Sequence, residues 1–215
     1  MLRVIAGQLG GRRFRTPSGA RTRPTADRVR EALFNILGPP PADARVLDLY
    51  AGSGALGIEA LSRGAEQALF VDEAADACRL IGENLRDLGV SAQARVLCRR
   101  VRTAMPALRA YGPFAWVFAD PPYASTELPD VLTALWRHEL LLPTAQIVVE
   151  RAARDADALC AQLAEGPLST QFSLLDRRRY GDSALLFLTP TSASSDVPSA
   201  SLAASTLAAP FGDQS

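Results

Sequence analysis

Five short apolar runs recur through the middle of the chain: RVLDLY (45–50), QALFVD (67–72), ARVLC (94–98), AWVFAD (115–120) and AQIVVE (145–150). Each gap between them leaves room for one helix. Near-continuous apolar strands alternating with helices are the rhythm of a parallel sheet buried on both faces. Two further runs, 172–181 and 183–190, are separated by almost nothing, so they must pair as an antiparallel hairpin. The spacing therefore predicts an α/β protein built on a Rossmann-like, doubly wound sheet, mostly parallel, with a C-terminal antiparallel hairpin. Ahead of it, PTADRVREALFNIL (24–37) predicts a helix capped by Thr25, with Val29, Leu33, Ile36 and Leu37 on its buried stripe and Arg28 and Glu31 pointing elsewhere. GPPPAD (38–43) ends that helix. Three units follow: an arginine-rich extension with its helix (1–43), the α/β domain (44–190), and a tail (191–215) whose seven serines and lack of arginine predict disorder.

Composition removes several function classes. No apolar run in the 215 residues approaches the roughly 18 of a membrane span, and the start, MLRVIAGQLGGRR, has no apolar core of signal-peptide length, so a cytoplasmic protein is expected. Cys78, Cys98 and Cys160 are odd in number and unpaired in sequence, which supports neither a disulfide framework nor a CxxC metal site; buried thiols are the expectation. His138 is the only histidine, so no metal centre is expected.

The formal net charge of zero conceals an asymmetry. Residues 1–30 hold eight arginines (3, 12, 13, 15, 21, 23, 28 and 30) against one acid, Asp27. Guanidinium forks grip phosphate oxygens in bidentate fashion, so this segment suits a polyanion, with Arg12, Arg13, Arg21, Arg23 and Arg28 as the candidate phosphate contacts. A merely solvated start is the alternative.

Two motifs carry chemistry. DLYAGSGALG (48–57) leaves an apolar run and enters a helical stretch, and Gly52, Gly54 and Gly57 spell GxGxxG: two glycines let backbone pass close to a ligand, and Gly57 permits tight helix-on-strand packing. The next strand ends in Asp72, twenty residues beyond Gly52, where a carboxylate would meet ribose hydroxyls. Both NAD and S-adenosylmethionine present such a ribose. Asp48, inside the strand, favours the latter, since an acid there can help hold a cationic amino acid group. A sheet of this kind ending in a hairpin is also the arrangement of class I methyltransferases.

The second motif is DPPY (120–123), directly after AWVFA. Two prolines donate no backbone hydrogen bonds and hold φ fixed, so the chain leaves the sheet stiffly with its carbonyls available as acceptors. If the Asp120 carboxylate and a carbonyl of Pro121 or Pro122 accept the hydrogens of an exocyclic amine, the nitrogen lone pair can face a methyl donor. Tyr123 would stack on the extruded base.

With RVIAGQLGGRRFRTP, RTRPTADRVREALFNIL, LDLYAGSGALGIEALSRGA, DPPY and RRYGDSALLFL in place, the chain resembles the bacterial 16S rRNA guanine-N2 methyltransferases of the RsmD family from about Leu2 to Leu188. The resemblance implies transfer of a methyl group from S-adenosylmethionine to N2 of one guanine (guanine 966) of 16S rRNA, by a monomer acting on an assembling small subunit. It places the cofactor loop on Asp48, Ala51, Gly52, Ser53 and Gly54, the ribose acid on Asp72, and catalysis on Asp120, Pro121, Pro122 and Tyr123. Two positions depart from the family pattern: Ala74 stands where a second acid is common, and Arg100 where Asp or Asn is common beside the adenine. Methylation of adenine N6 in DNA or of another RNA, an NAD-dependent oxidoreductase, and a non-catalytic RNA-binding module are the alternatives.

Overall fold

Strands as apolar as these are stable only when both faces are covered, and the fold covers both. The structure, a computed structural model, describes residues 1–17, 24–122 and 126–191, with residues 24–26 in backbone only. The elements in chain order are β1 (Leu2–Arg3), β2 (Arg13–Phe14), α1 (Pro24–Leu37), β3 (Arg45–Leu49), α2 (Ala55–Ser62), β4 (Gln67–Asp72), α3 (Ala75–Leu88), β5 (Ala94–Cys98), α4 (Val101–Leu108), β6 (Phe114–Ala119), α5 (Leu128–Arg137), β7 (Leu141–Ala152), α6 (Ala153–Ala164), β8 (Phe172–Tyr180) and β9 (Ser183–Pro190). Among the described residues, seven strands form one sheet in the order β5-β4-β3-β6-β7-β9-β8. The first five pair in parallel; β9 runs antiparallel to both β7 and β8. The strand order reverses between β3 and β6, which opens a crevice at their carboxyl ends.

Side chains that alternate across the sheet feed two cores. One lies against α4, α5 and α6 and contains Leu47, Val117 and Val149. The other lies under α1, α2, α3 and the amino-terminal strands, with Val46, Phe118 and Val148. On this second face Arg30 of α1 lies 3.9 Å from Glu59 of α2, and one turn further the guanidinium of Arg63 sits over the Phe34 ring at 4.9 Å. The two helices therefore run side by side in the same direction, away from the carboxyl edge, and the first turns of α1 lie at that edge.

Several expectations are corrected. α1 opens on Pro24, a residue suited to a first helical position, so Thr25 lies inside the helix and cannot cap it; its side chain is outside the described residues. The buried stripe of α1 is Arg30, Leu33, Phe34 and Leu37, while Ile36, about 200° of helix away from Phe34, is 39% exposed. The run AQIVVE is the centre of a longer strand, because Leu141 re-pairs with Phe114 across a register shift. The thiols are not buried: Cys98 is exposed and Cys78 and Cys160 are partly so. The tail from residue 192 lies outside the described residues.

The amino terminus is docked on the body. β1 pairs with β2, and Glu59, buried in α2, accepts from the Ile5 N–H at 2.7 Å and the Ala6 N–H at 3.0 Å. Asn84 of α3 ties Arg15 to the glycine loop: its Oδ1 accepts from the Arg15 N–H at 2.8 Å, and its Nδ2 donates to the carbonyls of Arg15 at 3.0 Å and Ser53 at 3.2 Å. Among the described residues no helix is long and apolar enough to cross a membrane.

Candidate active site

The chain leaving β3 must turn at once into α2, and the turn shows in the backbone. Tyr50 has φ 57°, Gly52 φ 56° and Gly54 φ 77°, left-handed conformations that a β-carbon disfavours. Gly57 is required for a different reason: a β-carbon there would sit 2.3 Å from the Phe70 ring. The Gly57 N–H donates to Asp48 Oδ2 at 2.9 Å. Asp48 is buried beneath the loop, where desolvation pushes its carboxyl up to about 8. Its Oδ2 thus holds the start of α2, and Asp48 is not among the residues that line the cavity.

Above the loop lies a cavity of about 930 Å³, walled by the ends of four adjacent strands: Tyr50 after β3, Asp72 and Glu73 after β4, Arg100 before α4, and Asp120, Pro121 and Pro122 after β6. Its volume suits a small-molecule ligand. Asp72 is held square to the wall, since Oδ2 accepts from the Gly52 N–H at 2.8 Å and Oδ1 from the Ala74 N–H at 2.9 Å, and each oxygen keeps a lone pair for a ligand hydroxyl. The Ala74 position thus serves through its backbone. Arg100 pairs with Glu73 at 3.0 Å across the adjoining wall.

Two wall residues carry unusual proton affinities. The Tyr50 hydroxyl is buried without a hydrogen-bond partner, and burial, then the charge of Glu127, pushes it up to about 12, so it remains a donor at any working pH. An orphaned buried donor on a cavity wall fits an acceptor on a bound molecule. Asp120 opens to the cavity mouth, yet the surrounding protein desolvates it and, with the charge of Glu150, raises its carboxyl to about 7.

The structure thus gathers Asp72, Asp120, Pro121 and Pro122 on one cavity; the loop of Ala51, Gly52, Ser53 and Gly54 is not part of its lining and is tied to it through the Gly52 N–H on Asp72. Tyr123, Arg21 and Arg23 lie outside the described residues. Arg28 is exposed on the first turns of α1, at the carboxyl edge. Arg12 has another employment: its guanidinium donates to the carbonyls of Leu88 and Asp87, both at 2.7 Å, and so caps α3 at the opposite edge. Arg13, exposed on β2, lies beside it. Sequence reasoning missed Tyr50, Glu73 and Glu127 as wall residues. Tyr50 was findable, because a non-glycine residue directly before AGSG must take a strained turn.

A family model described as conserved hypothetical protein 95 matches residues 2–189. The ribosomal RNA small subunit methyltransferase D of Escherichia coli K12 is 41% identical over 150 residues, 69% of this chain and 74% of that protein. The chain belongs to this family, the RsmD methyltransferases. The Haemophilus influenzae RsmD protein is 35% identical over 69% of this chain and 78% of its own length. A solved Escherichia coli structure superposes with a TM-score of 0.71 at 35% identity, covering 88% of this chain and 97% of that one. RsmD membership makes the chain an enzyme of the methyltransferase class and its sheet that of the class I methyltransferases.

Proposed function

We propose that this chain transfers a methyl group from S-adenosylmethionine to the exocyclic N2 of a guanine in small-subunit rRNA, guanine 966 in the family's terms. The observation that carries the reading is one cavity shared by a ribose-competent acid, Asp72, and an amine-competent acid, Asp120. The family's RNA substrates support it. The residues fit the cofactor: Asp72 and Glu73 are acceptors for ribose hydroxyls, and the Tyr50 hydroxyl is a donor for a carboxylate. When bound, S-adenosylmethionine supplies a methyl group already activated on a cationic sulfur. Asp120 then has two tasks. Its carboxylate accepts a hydrogen of the amine and orients the nitrogen toward the methyl carbon, and with a pKa of about 7 it can take the proton that the amine sheds once it has become cationic. Pro121 and Pro122 stiffen the chain beyond it, and Tyr123 stacks on the base. Arg28, with Arg21 and Arg23 before it, grips RNA backbone; Arg13 meets RNA that extends to the far edge. The enzyme acts in the cytoplasm as a monomer on assembling small subunits.

Single-turnover methylation of small-subunit particles from cells lacking the protein, at saturating cofactor, tests this. Asp120→Ala should bind cofactor normally and lose about a hundredfold in rate. Wild-type turnover by Asp120→Ala, or methyl label mapped to an adenine or to no rRNA position, would overturn the reading.

A further inference from the structure

Asp120 has a neighbour on its other side that the mechanism above does not use. β6 and β7 pair in parallel with Phe118 opposite Val148 and Ala119 opposite Val149. The next pair in that register is Asp120 and Glu150. Phe118 and Val148 belong to the same core, so by the alternation of strand side chains Asp120 and Glu150 project from that same face, at the edge where α1 begins. They are close enough for the charge of Glu150 to raise the proton affinity of Asp120. Glu150 is partly buried, on the strand that β9 adjoins.

Two carboxylates side by side make a row of acceptors. The edge of guanine that bears N2 offers a matching row of donors, the amine hydrogens and N1–H. Adenine and 2-aminopurine offer an amine hydrogen beside an N1 lone pair, which a carboxylate repels. We infer that Glu150 accepts the N1–H of the target base while Asp120 accepts from its amine, and that Glu150 is the residue through which the enzyme selects guanine. This rests on the rRNA guanine reading and deepens it.

The experiment uses small-subunit particles reconstituted with either guanine or 2-aminopurine at the position the enzyme methylates. Both bases carry the same exocyclic amine and differ at N1 and at C6, and Glu150→Gln alters only the group that faces N1. The wild-type enzyme should prefer guanine by about ten- to hundredfold in kcat/KM, the scale of one well-placed base contact. Glu150→Gln, whose amide can donate to a bare N1, should bring the ratio close to one. A Glu150→Gln enzyme that slows on both bases by the same factor would show a structural role and overturn the inference, even with guanine methylation intact. A wild-type enzyme that methylates no guanine would instead overturn the substrate reading and this inference with it. If Glu150→Gln fails to fold, Glu150→Asp carries the test. It keeps both carboxylates and draws this one back by a methylene from N1, so the ratio should fall severalfold; an unchanged ratio counts against the inference.

Discussion

Three carboxylates stand on adjacent strands at the carboxyl edge, and their different surroundings give them different work. Asp48, desolvated under the glycine loop, is raised from 3.8 to about 8 and is mostly protonated near neutrality. Asp120 is raised to about 7, first by the desolvating protein around it and then by Glu150. An amine acceptor must be ionised, so the methylation rate should climb as pH rises through about 7. Glu150→Gln removes a neighbouring negative charge and should move that midpoint to lower pH; initial rates across pH 5.5–9 check both the rise and the shift. Stability should run the opposite way. A carboxyl that binds its proton more tightly folded than unfolded favours the fold at low pH, and the advantage is lost as pH rises from about 4 through the folded value. Asp48→Asn should therefore flatten the fall in the urea midpoint between about pH 4 and 8.

At the scale of elements, the glycine loop depends on how close α2 can approach β4. Alanine at position 57 would gain about 1 kcal/mol of helix propensity, but its β-carbon would overlap a fully buried Phe70 ring, and overpacking of that kind costs about 1–3 kcal/mol. The second effect should win. Gly57→Ala is expected to lower the denaturation midpoint and, by displacing the loop, to weaken cofactor binding in a calorimetric titration. The strands behind this contact were legible because parallel strands covered on both faces are apolar throughout: QALFVD and ARVLC coincide with β4 and β5 to the residue. The amino-terminal pairing was not. Strands of two residues lie below any periodicity, and the contacts that dock them, Glu59 on the Ile5 and Ala6 amides and Asn84 on Arg15, join residues far apart in sequence. Within the site, Asp72 and Asp120 announced themselves by ending apolar runs. Glu150 ends one too, but only the β6–β7 register places it beside Asp120.

Across the whole molecule, the arginines of the amino terminus separate by location. Arg12→Ala should cost about 1 kcal/mol in chemical denaturation, because it removes the cap on α3, and should leave the salt dependence of RNA binding unchanged. Arg28→Ala should do the reverse, with stability within about 0.5 kcal/mol and a salt slope smaller by about 0.7–0.9 for a lost phosphate contact. The side-by-side course of α1 and α2, pinned where Arg30 meets Glu59 and Arg63 covers Phe34, adds a constraint of its own. On the proposed reading, one helix starts beside the RNA contact Arg28 and the other beside the cofactor cavity. On that reading the pair works as a gauge for the span between a held phosphate and the reacting amine. A residue inserted between Arg28 and Arg30 should turn Arg28 by about 100° and shift it about 1.5 Å along the axis, so the enzyme would measure to the wrong place while its chemistry stayed whole.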